Sequence, residues 1–149
     1  MFLGTYTIKV DEQGRFFLPS KFRDQLVDGL AMVKGQEYCV SVYPLSQFEK
    51  LAHAGASTRT SLREVRDFQR LLGSGGGDDI PDKQGRVTLP VQLREYAGLE
   101  RDAVLTGVID RLEIWNPEAW EAYITKQEPS FANLNEAAFA SETGGTATA

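Results

Sequence analysis

Asp11-Glu12-Gln13-Gly14-Arg15-Phe16-Phe17-Leu18-Pro19 returns later in the chain as Asp82-Lys83-Gln84-Gly85-Arg86-Val87-Thr88-Leu89-Pro90, and this recurrence decides the fold. Each copy sets an Asp-x-x-Gly-Arg turn before an apolar strand that ends in Leu-Pro, at a constant offset of 71 residues. Phe22-Arg23 recurs as Leu93-Arg94 at the same offset. The register then slips by one, so that Val42-Tyr43 matches Ile114-Trp115 and Phe48-Glu49 matches Trp120-Glu121. Self-similarity on this scale marks a duplicated supersecondary unit. A unit of roughly 50 residues buries too little surface to be comfortably stable alone, so the two halves are expected to intertwine into one barrel.

Around the turns the pattern spells out the elements. Residues 5–10 alternate, with Tyr6, Ile8 and Val10 on one side and Thr5, Thr7 and Lys9 on the other, as a half-buried strand requires. Asp at the first position and Gly at the fourth suit a type I turn. Residues 5–18 are therefore expected to form a hairpin with a short loop. Pro19 suits the first turn of a helix whose apolar stripe is Phe22 and Leu26 and whose end is Gly29. Strands near residues 31–33 and 37–43 and a helix over 45–53 complete the unit. The second copy repeats the order: a hairpin around 82–85, a helix near 91–97, strands near 103–108 and 112–115, and a helix near 118–125. One strand departs from it. Asp78-Asp79-Ile80-Pro81 is short, acidic and broken by proline, the description of a frayed edge strand.

Between the copies, residues 60–72 predict a helix with Leu62, Val65, Phe68 and Leu72 on one side. Arg59, Arg63, Arg66 and Arg70 gather on the opposite side, where either a solvated face or a face between subunits accounts for them. Gly73-Ser74-Gly75-Gly76-Gly77 forms a flexible joint. The expected organisation is a first repeat over 1–54, a linker helix and Gly-rich joint over 55–77, a second repeat over 78–126, and an acidic tail over 127–149 that is partly disordered, chiefly at 141–149. The fold class is α+β, mainly β: two half-barrels fused into one barrel with flanking helices.

Composition bounds the chemistry. The 149 residues are 42% hydrophobic and 25% charged, ordinary values for a globular domain. No apolar run approaches the roughly 20 residues of a membrane helix, so no membrane partner is expected. The net charge of −5 argues weakly against nucleic acid, because most of it belongs to one end. Residues 116–149 set Lys126 against Glu118, Glu121, Glu128, Glu136 and Glu142. Cys39 is the single cysteine, forms no internal disulfide and suits a reducing cytoplasm as a small core residue. His53 is the single histidine and has no His or Cys partner with metal-ligand spacing, so neither a metal nor a cofactor is expected. No nucleophile elbow, Walker loop or dinucleotide fingerprint occurs, and the Gly-rich joint lacks the Lys-Ser/Thr of a phosphate loop. No enzymatic activity is expected.

The two turns remain. Asp11, Gly14, Asp82 and Gly85 are accounted for by turn geometry, but no turn requires Arg15 or Arg86. An arginine at the mouth of an exposed turn presents a planar fork of donors suited to phosphate oxygens or to guanine O6 and N7. Asp across the turn can fix the rotamer of that fork. Gln13 and Gln84 add neutral groups able to read an adenine edge. Lys9, just before the first turn, and Lys83, within the second, complete the candidate DNA-binding set.

At these residues the chain resembles the MraZ family of bacterial transcriptional regulators. The opening Met1-Phe2-Leu3-Gly4-Thr5-Tyr6, both turns with the Leu-Pro that follows each, and Leu93-Arg94-Glu95-Tyr96-Ala97-Gly98-Leu99 carry the likeness, over residues 1–126. Gln13 stands where the family pattern has lysine. The resemblance implies an AbrB-like swapped-hairpin fold and a ring-shaped homo-oligomer. It implies binding of double-stranded DNA at direct repeats upstream of the division and cell-wall gene cluster, usually as a repressor, in the cytoplasm and on the nucleoid. It assigns the DNA contacts to Arg15 and Arg86. Two other classes stay open from the residues alone: an oligomeric scaffold without specific DNA binding, and a small-ligand barrel.

Overall fold

The computed structural model describes residues 1–56 and 60–135. Along them run β1 (Thr5–Lys9), β2 (Arg15–Phe17), α1 (Ser20–Leu26), β3 (Leu30–Lys34), β4 (Val40–Pro44), α2 (Leu45–Ala56), α3 (Arg63–Ser74), β5 (Gly77–Asp79), β6 (Arg86–Thr88), α4 (Val91–Tyr96), β7 (Asp102–Gly107), β8 (Leu112–Trp115) and α5 (Pro117–Ala132). The class is α+β. Met1–Pro117 form one unit, and the chain from Glu118 forms a second.

The expected hairpins are not hairpins. Only the closing pair is made across each turn, where the Asp11 N–H donates to Arg15 O at 2.9 Å and the Asp82 N–H to Arg86 O at 3.1 Å. Beyond that pair the arms separate. β1 pairs with β7, β5 pairs with β3, and β2 and β6 pair with each other. The physical reason lies in burial, because an isolated two-stranded hairpin is marginal in water. Exchange between the copies lets the inward faces of both meet in one core.

The result is a six-stranded antiparallel sheet in the order β1-β7-β8-β4-β3-β5 and a separate ribbon, β2-β6. Replacing each strand by its counterpart in the other copy reproduces the same order read backwards. The two halves thus share a pseudo-two-fold relation, with β8 and β4 at its centre. The ladder stays open at β1 and β5. As expected, β5 is a short edge strand stopped by Ile80-Pro81.

The core draws on both repeats. Phe16, Leu18, Phe22 and Leu26 come from the first copy, and Val87, Leu89, Leu93 and Ala97 from the second, all within 5% exposure. Phe22 meets Phe2 and Tyr6 at ring distances of 5.7 and 5.5 Å, the latter edge-on. Cys39 is buried, as expected. Burial first, and then the carboxylates of Glu113 and Glu37, push its thiol up to about 12.

Two expectations are adjusted by packing. α3 forms, but none of its residues is fully buried, and Phe68 remains 54% exposed. Its basic face is partly used locally: Arg66 donates to Thr60 O and Ser61 O, and Arg70 pairs with Asp67 at 3.3 Å. Arg59 lies outside the described residues. α5 runs beyond the expected 118–125 and continues through Pro129. Asn133 closes it, donating from its backbone N–H and Nδ2 to Pro129 O. Residues 127–132 of the expected tail are therefore helical, whereas 141–149 lie outside the described residues.

Candidate nucleic-acid interface

The two turns lie at opposite ends of the β2-β6 ribbon. The antiparallel register sets Arg15 opposite Thr88, Phe16 opposite Val87 and Phe17 opposite Arg86. Phe16 and Val87, each 1% exposed, point into the core. Side chains alternate along a strand, so Arg15, Phe17, Arg86 and Thr88 share the outward face. Arg15 and Arg86 are diagonal neighbours there, at a spacing of roughly 7–8 Å for such pairs.

Each arginine is held by its own turn. Asp11 Oδ1 accepts the N–H groups of Gln13 and Arg15 at 2.9 and 2.8 Å, and its Oδ2 accepts Arg15 Nε at 2.9 Å. Asp82 repeats this on Gln84 and Arg86 at 2.9, 2.8 and 2.8 Å. The aspartates thus do two things at once: they close the turn and fix a guanidinium at Nε. Among the described residues neither arginine's Nη pair has a hydrogen-bond acceptor, so that edge of each fork faces outward unspent.

The glycines are required by space as well as by conformation. Gly14 and Gly85 have φ of 85° and 79°, a region disfavoured for residues with a Cβ. Their carbonyls accept the N–H groups of Leu89 and Leu18 at 2.8 and 2.9 Å, so each turn is tied to the opposite copy. A Cβ on Gly14 would sit 2.6 Å from Leu89 O, and one on Gly85 would sit 2.4 Å from Arg23 Nε. Arg23 of α1 therefore backs the second turn, and Arg94 of α4 backs the first. Neither was singled out as a site residue in sequence. The signal was present in the recurrence of Phe22-Arg23 as Leu93-Arg94.

The remaining candidates fall in two groups. Gln13, Lys83 and Gln84 are exposed at the turn tips, within reach of whatever meets the ribbon. Lys9 is displaced from them: it stands on β1 opposite Asp102, and the two side chains form an ion pair. His53 is exposed on α2, and no group of three His, Cys, Asp or Glu among the described residues is placed to hold a metal ion. No helix among them is long and apolar enough to cross a membrane.

The comparisons with known proteins meet this geometry at the same residues. A family described as "MraZ protein, putative antitoxin-like" matches residues 1–71 and 80–141, which include both turns and both ribbon strands. The chain belongs to the MraZ family. A protein of Cutibacterium acnes named "Transcriptional regulator MraZ" is 49% identical over 142 residues, 95% of this chain and 100% of its own. Relatives of the same name from Leifsonia xyli and Kineococcus radiotolerans are 48% and 46% identical over 136 residues, 91% of this chain and 95% of theirs. The two matched stretches each hold one turn and its ribbon strand, and the gap between them falls on the end of α3, the Gly-rich joint and β5.

The clamps make a testable statement about pH. The Asp11 carboxyl is held below 3.8 first by the Arg15 N–H, with the Arg15 side chain and the Gln13 N–H assisting; Asp82 is held down likewise by Arg86. A depressed folded value means that the stabilisation is fully present above 3.8 and is lost as pH falls through the lower folded value. Both clamps therefore stay closed throughout the neutral range. Carboxyl carbon NMR titration should place both midpoints below 3.8, and a midpoint at or above 3.8 would contradict the clamped geometry.

Proposed function

We propose that this chain is a sequence-specific DNA-binding transcriptional regulator that lays the β2-β6 ribbon into the major groove. One observation carries the reading: two guanidinium groups on the outward face of a two-stranded ribbon, each fixed at Nε by its own turn and each with an unspent Nη edge. The major groove of B-DNA is about 12 Å wide and admits such a ribbon. The fork of Arg15 or Arg86 matches guanine O6 and N7, and Gln13 and Gln84 match an adenine edge. Lys83 reaches phosphate from the second turn. Lys9 contributes charge from the side, weakened by Asp102. A scaffold would have no use for two arginines held outward in this way.

The relatives' name supports the regulatory role, and the family resemblance supports the finer picture. In that picture residues 1–54 and 78–126 are AbrB-like swapped-hairpin repeats, joined by 55–77 and followed by the acidic tail 127–149. The strand exchange between β1-β7, β5-β3 and β2-β6 supports this architecture. The chain assembles as a ring-shaped homo-oligomer, acts in the cytoplasm on the nucleoid, and represses the division and cell-wall gene cluster from direct repeats. It is not an enzyme and needs no cofactor.

A ring repeats its subunits in one rotational sense, so neighbours present their turns head to tail. That favours same-orientation repeats, each adding avidity through effective concentration, over the palindrome suited to a two-fold dimer. Selection of binding sites from random duplexes should return tandem direct repeats. Inverting one repeat, with sequence and spacing kept, should weaken binding at least tenfold. Equal affinity for the inverted probe would rule out the head-to-tail arrangement, and a selection without enrichment would rule out sequence-specific recognition.

A further inference from the structure

The pseudo-two-fold relation between the copies is broken beside the first turn. A cleft of ≈ 660 Å³ opens there, lined by Lys9, Arg15, Arg86, Arg94 and Arg101 against the carboxylates of Asp11, Glu12 and Glu100. Asp11 is occupied by Arg15, and Lys9 by Asp102. The side chains of Arg94 and Arg101 make no hydrogen bond or ion pair among the described residues, although Arg101 lies within the field of Asp102, and Arg94 Nε is buried without an acceptor.

The other copy provides an internal comparison. The counterpart of Arg94 at the 71-residue offset is Arg23, whose Nε donates to Leu18 O at 2.9 Å. The same arginine is thus satisfied within the protein in one half and left incomplete in the other. The counterpart of Lys9 is Ile80, apolar and exposed, and in the register that superposes β3 on β7 the counterpart of Arg101 is Asp28, an exposed carboxylate. The approach to the second turn is also acidic, through Asp78 and Asp79. The buried Nε itself is beyond reach of an outside group, but Arg94 lines a cleft rich in cations and its Nη groups have no internal acceptor, which suits an anionic oxygen supplied from outside.

We propose that the cleft beside the first turn is a phosphate clamp, in which Arg94 and Arg101 take a backbone phosphodiester of the duplex that the ribbon reads. This rests on the DNA-binding reading and adds polarity to it. The flank of the first turn grips the backbone and the flank of the second does not, so each subunit lies on DNA in one orientation despite its two similar turns. Phosphate contacts position a protein without reading sequence.

The test is a salt titration of the full chain on a selected operator duplex and on a scrambled duplex. Each lost phosphate contact should reduce the slope of log affinity against log salt by about 1. Arg101→Ala and Arg94→Gln should each do so, with affinities for both duplexes falling by a similar factor, about threefold to tenfold. Ile80→Ala, on the opposite flank, should leave the slope unchanged. Arg101 is exposed, so its replacement keeps the test valid even if Arg94→Gln, which lies behind Gly14, disturbs the fold.

An unchanged slope in Arg101→Ala, with wild-type binding intact, overturns the clamp and leaves the ribbon reading standing. A loss confined to the operator marks a base contact and also overturns it. If millimolar inorganic phosphate raises the melting temperature of the wild type while the DNA slopes stay equal, the cleft is a free-anion site. Failure of the wild type to bind either duplex would overturn the functional reading, and the clamp with it.

Discussion

Replacing Arg15 and Arg86 together by alanine is expected to abolish operator binding while leaving the protein folded. Both side chains are on the outward face of the ribbon, and neither contributes to the core. What they hold internally is an exposed ion pair with Asp11 or Asp82, and exposed pairs contribute about 0–1 kcal/mol. What they give a duplex is larger: a good bidentate base contact is worth about 1–3 kcal/mol of discrimination. A single substitution should therefore weaken binding by roughly fivefold to 150-fold, since 1.4 kcal/mol is about tenfold. The double substitution should exceed either, although diagonal neighbours need not add. Lysine should rescue poorly at both positions, because an ammonium lacks the fork that the clamped Nε leaves free. The measurements are anisotropy on the operator and circular dichroism for the fold. Normal operator binding by a folded double variant would refute the assignment of these residues.

The second large effect is on stability. Phe16→Ala should cost about 3–5 kcal/mol, the range for removing a fully buried phenylalanine. Native domains hold only about 5–15 kcal/mol, so this is a major fraction of the total. The melting temperature should fall by roughly 10–20 °C. Phe16 is 1% exposed and faces Val87 across a ribbon of three residues per strand. A ribbon this short has little hydrogen bonding of its own and is held mainly by what its inner face buries. Phe17, one residue on and 55% exposed, provides the control, and its alanine variant should stay within about 1 kcal/mol of the wild type. Thermal unfolding that shows equal losses for the two variants would mean that the inward and outward faces have been assigned the wrong way round. The same experiment bears on function, because a loosened ribbon no longer holds Arg15 and Arg86 on one face.

The duplication, the turns and the reason to suspect them are legible in the residues alone. Asp and Gly at their offsets dictate a closed turn through local chemistry alone, and in the structure the Gly14 and Gly85 N–H groups donate to the Asp11 and Asp82 carbonyls at 2.9 Å. Arg15 and Arg86 stood out because no turn needs them. The α+β class and most elements were likewise legible, since alternation along β1 and the stripe of Phe22 and Leu26 are local patterns. Tertiary structure alone decided where the arms of each turn go. Pairing of β1 with β7 and of β2 with β6 depends on which exchange buries the most apolar surface, and no residue within either arm encodes its distant partner. That exchange puts Arg15 and Arg86 on one face, brings Arg23 behind Gly85 and Arg94 behind Gly14, and leaves one of those two backing arginines without an internal acceptor. Near-identical local sequences thus acquire different surroundings, because what lies against a turn is set by packing between the copies and not by the turn itself.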